Sequence, residues 1–122
     1  MKLSYDSVGE TLIREVPEFA PIYNNHLSDY DEILPHVLLG DFTRFTVETF
    51  YKSEADEESN QLLSRCLNFI ESLFESGDPK LEELAQVSFL ENLNNEKNYD
   101  AIAKRLGPVS RQHLKLSGKQ LD

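Results

Sequence analysis

The chain has 122 residues, of which 39% are hydrophobic and 28% are charged, and these values indicate one folded domain rather than a disordered chain. The formal net charge of −10 argues against nucleic acid or an anionic membrane surface as the partner. Cys66 is the single cysteine, which excludes an internal disulfide, and no apolar run is long enough for a membrane span or a signal peptide. We therefore predict a cytoplasmic protein.

Apolar residues recur at helical spacing in the first half of the chain, and no window alternates as a strand would. A first helix is predicted over residues 6–16 and ends at Pro17. A second helix continues from Phe19, tolerates Pro21 in its first turn, and stops at a polar turn over residues 29–32. A third helix opens at Leu34 and Pro35 and extends to about residue 51.

The segment SEADEE at residues 53–58 raises the question of whether its four carboxylates bind a cationic partner or only begin a helix. An apolar stripe from residue 62 to residue 74 predicts a fourth helix directly after them. Ser53 or the acids that follow it would cap the first turn, where the helix dipole favours carboxylates.

Glycine and proline indicate the ends of the remaining helices. Gly77 is typical of a C-terminal cap, and Asp78 followed by Pro79 is typical of the start of a fifth helix. The apolar residues of this helix are Leu81, Leu84, Ala85, Phe89 and Leu93. After the polar break NLNNEKN (92–98), a sixth helix is predicted over residues 100–106, and a last amphipathic segment over residues 109–116 ends at Gly118. The fold class is therefore all-α, an antiparallel stack of about six or seven helices in one domain, residues 1–122.

We find no reaction motif or metal motif in the sequence. The three histidines, His26, His36 and His113, are far apart, whereas a zinc site needs ligands at close local spacing. No phosphate-binding glycine loop and no nucleophile elbow occurs. Cys66 lies within an apolar stripe, which predicts a core residue rather than a nucleophile. We predict no metal, no cofactor and no catalytic residue, and hence a binding protein rather than an enzyme.

One polar constellation lies on the third predicted helix, in the segment LPHVLLGDFTRF. Asp41 and Arg44 are three residues apart and are flanked by Phe42 and Phe45, so burial beside these rings would require the two charges to pair. We predict a structural ion pair of Asp41 and Arg44 that fixes this helix against its neighbours. Because His36 lies five residues before Asp41, a binding site or an acid–base site is the alternative.

Four segments resemble a bacterial family of all-helical domains of unknown function: LPHVLLGDFTRF (34–45), LNFIESLFESGD (67–78), VSFLENL (87–93) and LGP (106–108). The similarity extends roughly over residues 8–116. Members of that family are short single-domain proteins, often taken to be immunity proteins encoded beside secreted toxins or toxins of contact-dependent growth inhibition. The resemblance implies a helical fold and a toxin-neutralising role, and it carries over no catalytic residue.

The charge is unevenly distributed, which indicates where a protein partner would bind. Residues 1–76 carry fifteen acids and five bases, whereas residues 77–122 carry seven of each. Since many toxin domains are nucleases with basic clefts, we predict that such a domain is attracted to the acids, with two tyrosines as aromatic anchors. The predicted contact residues are Asp29, Tyr30, Asp31, Glu32, Tyr51, Glu54, Asp56, Glu57 and Glu58.

Two alternatives belong to other functional classes. Residues 101–121 contain five bases and no acid, so the chain is alternatively a helical adaptor or regulator that contacts nucleic acid or an acidic partner through this end. Those bases are Lys104, Arg105, Arg111, Lys115 and Lys119. The third hypothesis is an enzyme that works through His36, Asp41 and Arg44.

Overall fold

Helices joined by short turns make up the computed structural model, which describes residues 3–116. The elements are α1 (Val8–Glu15), a 3-10 turn (Pro17–Phe19), α2 (Ala20–Tyr30), α3 (Pro35–Ser53), α4 (Glu57–Glu75), α5 (Pro79–Ala85), a π-helical segment (Gln86–Leu90), α6 (Glu91–Leu93), α7 (Tyr99–Ala103) and α8 (Pro108–Leu116). No strand occurs within this range. The predicted all-α fold is confirmed. Residues 79–93 are helical without a break, and when they are counted as one helix, the described residues contain seven helices. The predicted end at Gly118 lies outside the described residues.

Proline and a left-handed residue define the ends of the first two helices. Pro17 follows α1, and the 3-10 turn that it begins leads directly into α2. At the other end of α2, Asp31 has a φ of 60°, and its backbone N–H donates to the Leu27 carbonyl at 2.8 Å. The polar turn predicted for residues 29–32 is therefore shorter, because α2 continues through Tyr30 until Asp31 leaves the helical conformation.

α3 and α4 form the centre of the fold. Only residues 54–56 join them, so the two helices run antiparallel and pack against each other. Phe42 of α3 is fully buried, and its ring centroid lies 5.3 Å from that of Phe19, 5.8 Å from that of Phe69 and 6.2 Å from that of Phe89. These contacts join α3 to the 3-10 turn, to α4 and to the π-helical segment.

The π-helical segment interrupts what the sequence predicts as a single α-helix. The five apolar residues assigned to that helix are all buried, as predicted. Within the segment, the Ser88 carbonyl accepts hydrogen bonds from Thr43 Oγ1 at 2.9 Å and from Asn92 Nδ2 at 2.8 Å. The hydrophobic pattern did not distinguish this wider turn from an α-helix, because the apolar side chains around it keep helical spacing.

The N-terminus of α8 is capped by a side chain of α4. The Glu71 carboxylate accepts the backbone N–H of Val109 at 3.0 Å, the backbone N–H of Ser110 at 2.9 Å and the Ser110 hydroxyl at 2.7 Å. Burial opposes the charged form of Glu71, but the hydrogen bonds from Ser110 and Val109 outweigh it and lower the pKa of this carboxyl. Glu71 therefore satisfies N–H groups that the first turn of α8 leaves open.

Candidate functional site

The first set of predicted contact residues lies at the end of α2 and in the turn that follows. Asp29, Tyr30, Asp31 and Glu32 are all exposed, with 46% of Tyr30 accessible. Beneath them, the buried ring of His26 packs on Tyr30 with the centroids 4.9 Å apart, and its Nε2 accepts the Leu34 N–H at 2.9 Å. This hydrogen bond fixes the turn to α2, so the four side chains are presented on an ordered backbone.

The second set lies between α3 and α4. Asp56 is the N-cap of α4: its carboxylate accepts the Glu58 N–H at 3.1 Å and the Ser59 hydroxyl at 2.8 Å. Glu57 and Glu58 occupy the first turn, where the helix dipole favours them. Part of the question raised by residues 53–58 is thus answered, because Asp56 rather than Ser53 begins the helix. Glu54, Glu57 and Glu58 are exposed, as is half of Tyr51.

The two sets are at opposite ends of α3. The first set precedes Pro35 and the second follows Ser53. Since α3 has 19 residues and a helix rises about 1.5 Å per residue, about 28 Å of helix separates them. The predicted contact residues therefore form two separate acidic patches rather than one, and a partner that contacts both must lie along α3.

Asp41 and Arg44 form an ion pair within α3, but not in the surroundings that the sequence predicts. The Arg44 side chain is 69% exposed and that of Asp41 is 29% exposed, and both belong to the same helix. The prediction that the pair fixes α3 against its neighbours is therefore wrong. The reason is the helical rotation of 100° per residue, which turns Phe42 into the core while Arg44 faces outward.

A groove of about 440 Å³ lies beside this pair, between α2, the outer face of α3 and the turn after α6. Its apolar lining comes from Ile22, Phe45 and Val47. Its charged lining comes from four side chains, Asp41, Arg44, Glu48 and Glu96. Three acids and one base leave the groove with a net charge of −2.

His36 does not line this groove. Its Nδ1 is 2.6 Å from the Ser88 hydroxyl, and its ring centroid is 6.4 Å from that of Tyr5. Ser88 is 5% exposed, so little of its hydroxyl is accessible to a substrate. The structure therefore does not gather His36, Asp41 and Arg44 into one site, and His36 instead joins α3 to the π-helical segment.

The other histidines have separate surroundings. His26 is buried, and because its Nε2 accepts a hydrogen bond, a neutral ring must carry its proton on Nδ1, which has no partner among the described residues. His113 stacks on Phe74 with the ring centroids 4.3 Å apart. Its Nε2 lies 4.0 Å from Glu82 Oε1. Within residues 3–116, no group of three His, Cys, Asp or Glu side chains is arranged to hold a metal ion.

Cys66 is a core residue, as the sequence predicts. It is fully buried in α4, and burial raises the pKa of its thiol to about 12, against a smaller lowering by a hydrogen bond with Thr46. Because the thiolate is the nucleophilic form, this thiol is unreactive near neutral pH.

The basic residues near the chain end are partly engaged elsewhere. Lys104, Arg105 and Arg111 are exposed, but the Arg105 guanidinium donates to Asn60 Oδ1 of α4 at 3.0 Å. The side chains of Lys115 and Lys119 lie outside the described residues.

Several polar contacts across the fold were missed from the sequence. Arg65 of α4 donates two hydrogen bonds to the Glu18 carboxylate, at 2.8 and 2.5 Å, and this contact lowers the pKa of Glu18. The partners in this pair are 47 residues apart, and those in the His36–Ser88 contact are 52 apart. No sequence signal indicates such pairings. The spacing of Asp41, Phe45 and Glu48 indicates only that these three side chains share one face of α3.

A family model described as "Domain of unknown function (DUF7674)" matches residues 9–120. No curated protein and no solved structure matches the chain. Among the helices of residues 3–116, none combines the length and the apolar character that a bilayer crossing requires.

Proposed function

The chain belongs to the DUF7674 family, and from its surface we propose that it is an immunity-type protein of the bacterial cytoplasm. In this role it binds a cognate toxin domain, such as a basic nuclease, and neutralises it by stoichiometric occlusion. The role requires complementary shape and charge rather than a catalytic residue, a metal or a cofactor. Residues at both ends of α3 provide the proposed contact surface.

The observation that carries this proposal is a set of exposed acids without internal partners. The two patches contain seven acids, and Asp56 caps α4. Within the described residues, the side chains of the other six form no hydrogen bond and no ion pair. These acids are Asp29, Asp31, Glu32, Glu54, Glu57 and Glu58. Their charges are therefore available to a basic partner, and each patch also has an exposed tyrosine.

Electrostatic attraction gives such a binder its speed. Complementary charge raises association rates from about 10⁵–10⁶ to about 10⁸–10⁹ M⁻¹s⁻¹ at low salt. A phosphate-binding cleft must be basic, so an acidic helical surface is complementary to it. Fast capture suits a protein that has to inhibit a toxin as soon as the toxin reaches the cytoplasm.

Co-expression with the toxin domain encoded in the neighbouring reading frame tests the proposal. Cells that produce this protein together with the toxin are expected to grow, whereas cells that produce the toxin without it are expected to die. Equal killing with and without the protein would show that the proposed role is wrong.

A binding measurement tests the contact surface separately. The double variant Glu32→Lys/Glu54→Lys changes one acid in each patch and leaves the Asp56 cap intact. We expect its association with the purified toxin domain to slow by about tenfold at low salt and to depend less on salt. Glu83→Lys/Glu91→Lys makes the same change in net charge at exposed positions on α5 and α6 and is the matched control. Equal slowing of both variants would contradict a contact at the ends of α3.

A further inference from the structure

The groove beside α3 has a construction that neither acidic patch has. Its apolar part is ordered: Phe45 packs edge-on against Phe19, with the ring centroids 5.4 Å apart, and Val47 is 5% exposed. Ile22 is half-buried and completes this lining from α2. Apolar surface of this kind receives an aliphatic chain or a ring but does not attract a free ion.

Two carboxylates, those of Glu48 and Glu96, border this apolar surface and form no ion pair within the described residues. Arg44 pairs with Asp41, and no side-chain hydrogen bond or ion pair engages Glu48 or Glu96 within the described residues. Glu96 is half-buried. Its backbone N–H donates to the Leu93 carbonyl at 3.0 Å, and its carbonyl accepts the Tyr99 N–H at 3.2 Å, so its backbone is fixed. A basic side chain bound in the groove would provide these two carboxylates with an ionic hydrogen-bond partner.

We propose that this groove receives an arginine or lysine side chain from a basic protein partner. The aliphatic stem lies on Phe45 and Ile22, and the cationic head meets Glu48 and Glu96. A long cationic side chain has both an apolar stem and a positively charged head. An anionic or a purely apolar ligand lacks one of these two parts. The inference rests on the proposed function and deepens it, because the groove lies on α3 between the two acidic patches.

Arg44, which also lines the groove, competes with an incoming cation for its carboxylates. Its guanidinium adds a positive charge to the same lining, so it weakens binding of an incoming cation. Loss of an acid and loss of Arg44 should therefore act in opposite directions. A purely structural role of these side chains predicts no such opposition.

The first test uses NMR titration of the full chain with the peptide acetyl-Gly-Arg-Leu-Gly-amide. We expect amide shifts centred on residues 22, 41–48 and 96, and none with the peptide that carries uncharged citrulline in place of arginine. Shifts spread evenly over all acidic surfaces, or equal shifts with the citrulline peptide, would overturn the inference.

Variants then separate the groove from general acidity. Glu48→Gln/Glu96→Gln should weaken binding of the arginine peptide about fivefold, and Arg44→Gln should strengthen it. Glu83→Gln/Glu91→Gln removes the same charge from exposed positions on α5 and α6 and should change binding less than twofold, as expected of screened distant charges. Equal weakening by both double variants would overturn the inference.

The same variants distinguish this inference from the proposed function. If the unaltered protein protects cells from the neighbouring toxin and Glu48→Gln/Glu96→Gln protects equally well, the groove is not the partner's site, although the immunity role stands. If the arginine peptide binds in the groove but no protection occurs, the immunity role is wrong and the groove remains a site for basic side chains.

Discussion

At the scale of single residues, Glu71 of α4 makes side-chain hydrogen bonds to the start of α8. It accepts three hydrogen bonds from the first turn of α8, and the two residues that donate them, Val109 and Ser110, are 38 and 39 residues away in the chain. A charged cap of this kind is stronger than a neutral one because the acceptor is ionised and the helix dipole favours it. The contact therefore links α8 to α4.

We expect Glu71→Gln to lower the free energy of unfolding by about 1–2 kcal/mol near neutral pH, since the amide loses the charge and one strong acceptor. Because folding lowers the pKa of Glu71, its contribution is present above the ordinary value of 4.5 and disappears as the pH falls through the lower folded value. Urea unfolding at neutral and at acidic pH measures this difference.

Glu75→Gln is the control for this experiment, because Glu75 is an exposed acid on the same helix. It should change the free energy of unfolding by less than about 0.5 kcal/mol. A loss for Glu71→Gln that is as large in acid as at neutral pH would contradict an electrostatic cap.

At the scale of elements, two glycines within helices differ in the space around them. In α3, a Cβ atom at Gly40 would lie 3.6 Å from Asn92 Nδ2, an ordinary contact. In α1, a Cβ atom at Gly9 would lie 3.0 Å from Tyr23 Cε1, closer than side chains normally pack. Gly9 therefore allows α1 to approach α2, whereas Gly40 has no such role.

Alanine substitution at these two positions should have opposite effects. We expect Gly40→Ala to raise the free energy of unfolding by about 0.5–1 kcal/mol, because it removes backbone freedom from the unfolded chain. Gly9→Ala gains the same term but forces Tyr23 to move, so a net loss of about 0.5–2 kcal/mol is expected. Chemical denaturation of both variants measures this, and a shift in the same direction for both would contradict the packing described for α1.

At the scale of the whole molecule, stability depends on the aromatic cluster around Phe42. The rings of Phe19, Phe69 and Phe89 reach Phe42 from three different elements. The α3–α4 pair is therefore packed as one unit with the 3-10 turn and the π-helical segment. This single core holds α3 in place, and with it the groove and both acidic patches.

Phe42→Ala should lower the free energy of unfolding by about 3–5 kcal/mol, because it leaves a cavity where several elements meet. That loss is a large fraction of the 5–15 kcal/mol that is typical of a natural domain. Phe50→Ala, a half-buried position near the end of α3, should cost less than half as much. Urea unfolding with an unchanged denaturant slope would support this, and equal losses for the two variants would contradict it.

Local signals in the sequence determined the helical architecture. Pro17, the Asp78–Pro79 pair and Gly77, whose φ is 74°, lie at element boundaries as predicted, because each acts on its own backbone or the adjacent turn. Helical spacing likewise predicted the buried faces of α4 and α5, since periodicity depends only on neighbours along the chain.

The tertiary structure alone decided which acids contact groups that are distant in the sequence. Glu71 accepts hydrogen bonds from the start of α8, and Glu18 accepts them from Arg65. Glu48 and Glu96 line a groove instead. It also placed Ile22 of α2 beside Phe45 of α3, which forms the apolar part of that groove. Such outcomes depend on how helices that are distant in sequence pack together, and no spacing within a single helix encodes that.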